Sequence, residues 1–224
     1  MALTHAYFVL LALVALGRLV ELGISRRHQR ALGQRSARMQ KEPGFVWMVL
    51  LHVGILLGSG LEVGLLRRPL WPVLALAASL VFVGANALRW WVMRSMATHW
   101  NVRVMDSLSL GVVRRGPFRL VRHPNYLAVF LELAALPLIH GAWETALVGT
   151  LLHALVLRRR VAFEENILFR HAAYREYFWR KPRFVPQLSD VLALWRDEPL
   201  ADPALPPSTW FATVRVHDKN GRPS

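Results

Sequence analysis

The sequence predicts an all-α polytopic membrane protein with about five transmembrane helices and a cytoplasmic C-terminal amphipathic helix. Three observations carry this. Of 224 residues, 54% are hydrophobic, with a mean hydropathy of +0.29. The apolar residues are gathered into runs long enough to span a bilayer. The Lys and Arg residues, which give a net charge of +14, fall in blocks between or after those runs.

The first run, Leu3–Ile24, is about twenty residues long, enough for roughly 30 Å of hydrocarbon. It lacks a basic leader and a small-residue cleavage site, so it reads as a retained helix. Within it Arg18 and Glu21 lie three apart on one face and are expected to pair. Gly44–Leu66 is the second span. Leu70–Met93 is the third and ends in Arg89-Trp90-Trp91, an interfacial anchor. A polar loop, Arg94–Arg122, follows. Two shorter runs, Asn125–Ile139 and Ala142–Leu157, reach only about 22–24 Å each and predict a tight helical hairpin. From Arg158 to about Trp179 the pattern is that of an amphipathic cytoplasmic helix, ended by Pro182. Beyond Leu188, the prolines at 199, 203, 206 and 207 predict an irregular tail. The expected organisation is therefore membrane helices over 1–69, a core over 70–187 and a tail over 188–224.

The basic blocks report topology. Arg26, Arg27, Arg30, Arg35, Arg38 and Lys41 form one, and Arg94, Arg103, Arg114, Arg115, Arg119 and Arg122 a second. A third begins at Arg158, whereas the other connections hold only Arg67 and Arg68. The positive-inside rule then puts the N-terminus outside and the C-terminus in the cytoplasm. Charge distributed in this way speaks for anionic lipid headgroups and against nucleic acid. The absence of cysteine excludes disulfides and thiolate chemistry. The histidines show no metal-ligand spacing, and no metal is expected.

Two polar clusters sit at the edges of apolar helices. In Arg122-His123-Pro124-Asn125-Tyr126, Pro124 suits the first position of the fourth span, whose N-terminus would favour an anionic group. The bland reading is an interface anchor. Glu164-Glu165 follows Arg158-Arg159-Arg160. Adjacent helical residues point about 100° apart, so one carboxylate is expected to face inward and the other to meet solvent or an arginine. Glu132, inside the fourth span, is costly there and a functional candidate, with pairing to Asn86, Arg89 or His153 as its bland alternative. Glu62, His52 and His5 take the bland reading. Gly54-x-x-x-Gly58 and Gly60-x-x-x-Gly64 predict close helix packing.

The run from Gly116-Pro117-Phe118-Arg119 through Arg122-His123-Pro124-Asn125-Tyr126, followed by Glu164-Glu165-x-x-Leu168 and Tyr174-x-x-Tyr177, resembles the isoprenylcysteine carboxyl methyltransferase family. The likeness covers roughly residues 70–187 and includes bacterial members that O-methylate alkylpyrones or alkylresorcinols. Phospholipid N-methyltransferases share both elements, but Leu127-Ala128 stands where that branch has Gly.

The resemblance implies an integral membrane methyltransferase using S-adenosylmethionine. His123, Tyr126 and Glu165 would be cofactor contacts, with Pro124 and Glu164 in the same motif. Arg122 and Arg160 match basic positions near the reacting groups. The expected acceptor is a lipophilic small molecule with a carboxylate, phenol or enol, and a prenylated cysteine is the family alternative. For an enol or phenol, Glu132 is a candidate base. A sterol-reductase-like enzyme using NADPH and a non-catalytic scaffold are the competing classes. The Ala-, Leu- and Arg-rich composition fits a GC-rich bacterial genome, and the expected location is the bacterial inner membrane, with the site facing the cytoplasm.

Overall fold

The computed structural model describes residues 1–34, 38–40, 42, 44–106 and 111–195. Arg35 and Lys41 of the first basic block and the prolines of the tail lie outside the described residues. The fold is all-helical, apart from a two-residue antiparallel backbone pairing of Arg38–Met39 with Met105–Asp106. Helix α1 is Ala2–Gly33, α2 Phe45–Leu66, α3 Pro72–Met96, α4 Pro124–Leu138, α5 Trp143–Leu168, α6 Ala172–Phe178 and α7 Leu188–Trp195.

Three of these are long and apolar enough to cross a membrane: α1, α2, and α3 with its following turn through His99. Helix α4 is apolar but has only 15 residues. Helix α1 continues unbroken past Ile24 to Gly33 and carries Arg26, Arg27 and Arg30 beyond the apolar run. Helix α5 likewise continues past Leu157, so the predicted fifth span and the start of the predicted C-terminal helix are one 26-residue helix. That helix stops at Leu168, and α6 begins after His171. His171 is extended there and lies 3.2 Å from Asp106. The segment from Leu188, expected to be irregular, starts with α7.

Packing runs α3 on α4, α4 on α5, and α5 on α2, with α1 against α2. One apolar core joins Tyr7, Leu11, Val63, Leu136 and Ala142, and a second joins Ile55, Val129 and Leu133. The large exposed apolar side chains, Trp47, Leu57, Val83, Trp90 and Leu155 among them, suit a lipid surface. Small residues set the crossings: a Cβ at Gly149 would sit 2.6 Å from Ile55, and Gly58 faces Thr145. Gly60 and Gly64 face Phe8, and among these four motif glycines only Gly54 has nothing within 4 Å. Glu62 accepts the free amides that start α5, from Glu144 (3.2 Å) and Thr145 (2.8 Å), and pairs with Arg68. It is a helix cap, as its bland reading requires.

Between α1, α3 and α4 lies a chain of buried charges. Arg18 donates to Glu21 at 2.7 Å, the pairing expected from their spacing. Arg18 also meets Glu132, and Glu21 accepts from Arg89 at 2.7 Å. Pairing is what makes such groups tolerable in a low dielectric.

Candidate functional site

The loop between α3 and α4 folds back along α3. Gly116 enters its tight turn with φ +61, and a Cβ there would fall 1.9 Å from Ser95 Oγ, so only glycine fits. Arg115 Nε donates to the Ser95 carbonyl at 2.8 Å, tying the loop to the end of α3. Pro124 is the first residue of α4, as predicted, because its missing N–H is no loss at that position. The two amides before it are engaged by the C-terminal segment. Arg122 N–H donates to the Pro182 carbonyl and His123 N–H to the Arg183 carbonyl, both at 2.9 Å.

His123, the residue just before α4, and Tyr126 in its first turn stack with centroids 5.4 Å apart. Each ring meets one member of the glutamate pair. His123 Nε2 lies 3.2 Å from Glu165 Oε1, and the Tyr126 hydroxyl donates to Glu164 Oε2. The 100° between neighbours separates the two carboxylates as expected: Glu164 turns into the cavity and Glu165 meets arginines. Glu165 is also held by Arg183 Nη2 at 2.6 Å and Arg122 Nη1 at 3.2 Å. Burial pushes the Glu165 carboxyl up, but the hydrogen bonds from His123 and Arg183 and the charge of Arg122 outweigh it, bringing its pKa to about 2. A carboxylate only accepts, so His123 carries its proton on Nε2.

Arg160 is buried behind Tyr126. Its Nε donates to the Tyr126 hydroxyl at 2.9 Å and its Nη2 to the Val102 carbonyl at 2.5 Å. Arg122, His123, Pro124, Tyr126, Arg160 and Glu164 all line one half-open cavity of about 130 Å³. Trp100, Asn125, Phe118 and Tyr174 complete much of its wall. Three lining residues carry buried polar atoms with no hydrogen-bond partner among the described residues: Trp100 Nε1, Arg122 Nε and Asn125 Oδ1. Glu165 stands behind the wall, orienting His123.

Glu132 is not brought to this cavity. Its carboxylate, 1% exposed, is ion-paired with Arg18 of α1. Residues 126 and 132 on α4 are about 9 Å apart along the axis and 240° apart around it. Two further groups escaped sequence reading: Arg183, which clamps Glu165, and Glu42, which lies 3.2 Å from Arg160 Nε. Glu42 is the acidic residue within an otherwise basic block, the one signal that marked it.

The low Glu165 pKa has a signed consequence. A carboxyl held below its ordinary 4.5 contributes stability that is complete above that value and lost as pH falls toward about 2. Unfolding midpoints of wild type and Glu165→Gln in detergent are expected to differ most above about pH 5 and to converge only below about pH 2.

Comparison with known proteins matches this region. The model of the isoprenylcysteine carboxyl methyltransferase (ICMT) family matches residues 76–170. The chain is 25% identical over 163 residues to the uncharacterized protein YpbQ of Bacillus subtilis, covering 72% of this chain and 96% of the relative. It is 27% identical over 152 residues to an uncharacterized protein of Haemophilus influenzae, covering 67% and 88%. The chain thus has three helices long and apolar enough to cross a membrane, and its residues 76–170, which hold both halves of the ring–carboxylate cluster, are similar to the isoprenylcysteine carboxyl methyltransferase family.

Proposed function

We propose that this chain is a membrane methyltransferase that uses S-adenosylmethionine and O-methylates a lipophilic small molecule at the cytoplasmic face of a bacterial inner membrane. The observation that carries the reading is the pairing of His123 with Glu165 and of Tyr126 with Glu164 across 42 and 38 residues, at the wall of one cavity. The donor set fits the cofactor. Arg122 Nε and Trp100 Nε1 would donate to its carboxylate, and Asn125 Oδ1 would accept from its amine. The stacked His123 and Tyr126 and the nearby Tyr174 offer ring faces to a purine. The cavity is below the roughly 300–1,000 Å³ of small-molecule sites, so such a ligand extends through its open side.

When bound, the cofactor supplies an electrophilic methyl group on a sulfonium. The chain's own part is alignment, since charge is lost rather than created in such a displacement. Glu165, fixed by Arg122 and Arg183, holds the His123 ring; Arg160 and Glu164 hold the Tyr126 hydroxyl from two sides. Leu127 and Phe130 of α4 and Leu157 and Val161 of α5 line a second, largely apolar cleft of about 560 Å³. It suits the tail of a lipophilic acceptor. In this reading α4 and the first half of α5 are the fourth and fifth spans, and the end of α5 with α6 is the cytoplasmic C-terminal helical region. Arg122 and Arg160 sit near the reacting groups, and Glu132 serves helix packing rather than proton transfer.

Calorimetric titration tests the reading. Purified protein is expected to bind S-adenosylhomocysteine and not NADPH, and membranes given methyl-labelled cofactor are expected to yield a labelled ether or ester. NADPH binding without S-adenosylhomocysteine binding would overturn it in favour of a reductase.

A further inference from the structure

The C-terminal segment that meets the start of α4 carries a group of exposed apolar side chains. Val185 and Leu188 are 75% and 73% exposed, and Trp179 and Leu192 are exposed as well. Leu188 and Leu192 lie about one turn apart on one face of α7. Single exposed apolar residues are ordinary, but several so close together need a medium other than water.

Phe184 fixes their height. Its side chain lines the apolar cleft together with Leu157 and Arg158 of α5. The exposed apolar residues of α5, from Leu147 to Leu155, end just before exposed Arg158 and Arg159. An apolar face giving way to arginines marks the edge of the hydrocarbon. The chain at Phe184 therefore sits at that edge, and Val185 is the next residue. Arg175, Arg180 and Arg183 are exposed on the same stretch. Asp190, the single acidic residue from Trp179 to Trp195, is paired with Lys181 at 3.6 Å. Bulky apolar side chains among unopposed positive charge suit an anionic headgroup layer.

We infer that Val185, Leu188 and Leu192 dip into the interface of an anionic lipid leaflet, with Arg180 among its phosphates, and that this contact holds the C-terminal segment against the start of α4. This rests on the membrane methyltransferase reading and adds lipid charge as an input to that site. The link is short and stiff. The Lys181–Asp190 pair ties α7 to the residue before Pro182, and Pro182 and Pro186 restrict the backbone between. The Pro182 and Arg183 carbonyls accept from the amides of Arg122 and His123, and the Arg183 side chain reaches Glu165. A leaflet that binds this segment binds the arrangement that orients His123, so lipid and cofactor each favour the other.

The chain has no cysteine, so Val185→Cys, Leu188→Cys and Leu192→Cys each carry a single bimane label. In nanodiscs containing phosphatidylglycerol, all three labels are expected to be quenched by a phospholipid bearing a nitroxide near the top of its acyl chain. Any one of the three left unquenched overturns the inference. Wild type is expected to bind S-adenosylhomocysteine about fivefold or more tightly when phosphatidylglycerol replaces part of a phosphatidylcholine bilayer. Leu188→Asp is expected to lose that gain, and Leu188→Phe, still apolar, to keep it. A wild-type affinity indifferent to lipid charge also overturns the inference. Absence of binding in both bilayers sinks the methyltransferase reading instead, and the quenching still judges the surface.

Discussion

Glu165→Ala and His123→Ala are each expected to weaken S-adenosylhomocysteine binding by more than about tenfold, roughly 1.4 kcal/mol or more. The two act by different routes. His123 lines the cavity and stacks on Tyr126, so its loss removes a wall. Glu165 stands behind and is the shared acceptor for His123, Arg122 and Arg183. Its removal leaves two guanidinium groups repelling each other and frees the ring to turn. Glu165→Gln, which still accepts from His123, is expected to lose less than Glu165→Ala. Titration calorimetry on the three variants checks this order; equal affinity in wild type and both alanine variants would remove the cluster from the binding site.

Glu132→Leu is expected to lower unfolding stability by about 3–5 kcal/mol, because it leaves Arg18 and Arg89 sharing the single carboxylate of Glu21 among α1, α3 and α4. Arg18 Nε and Arg89 Nη1 already lack partners, so no spare acceptor among the described residues takes up the charge. Adding Arg18→Leu to Glu132→Leu is expected to recover much of the loss, since an apolar pair of similar volume replaces the ions. Denaturant midpoints of the single and double variants decide it. Glu132→Gln is expected to keep methyl transfer; a turnover loss with intact stability would return Glu132 to the role of base.

These expectations show where sequence reading reached and where it stopped. The three long helices were legible because about twenty apolar residues in a row admit few other structures. The ring–carboxylate cluster was legible because both halves are local motifs in fixed order. The unbroken course of α5 was not, because polarity changes at Arg158 while helix propensity does not: Arg, Glu, Ala and Leu all favour helix on both sides. Glu42 and Arg183 were hidden for another reason. Each reaches the site from a different connection, and chain closure over 118 and 18 residues leaves no periodic trace. Glu132 drew attention for its cost in a membrane, and that cost is met by a partner on α1 that spacing cannot predict.

The carbonyls of Pro182 and Arg183 hold the amides of Arg122 and His123, and the Arg183 side chain clamps Glu165. The ribosome makes these residues after all of the long helices. A nascent chain can therefore insert, pack its apolar cores and pair its buried charges while its cavity still lacks the strap. Competence for ligand therefore follows the packing of the long helices, and termination before Arg183 is expected to leave those helices without the strap that holds the start of α4.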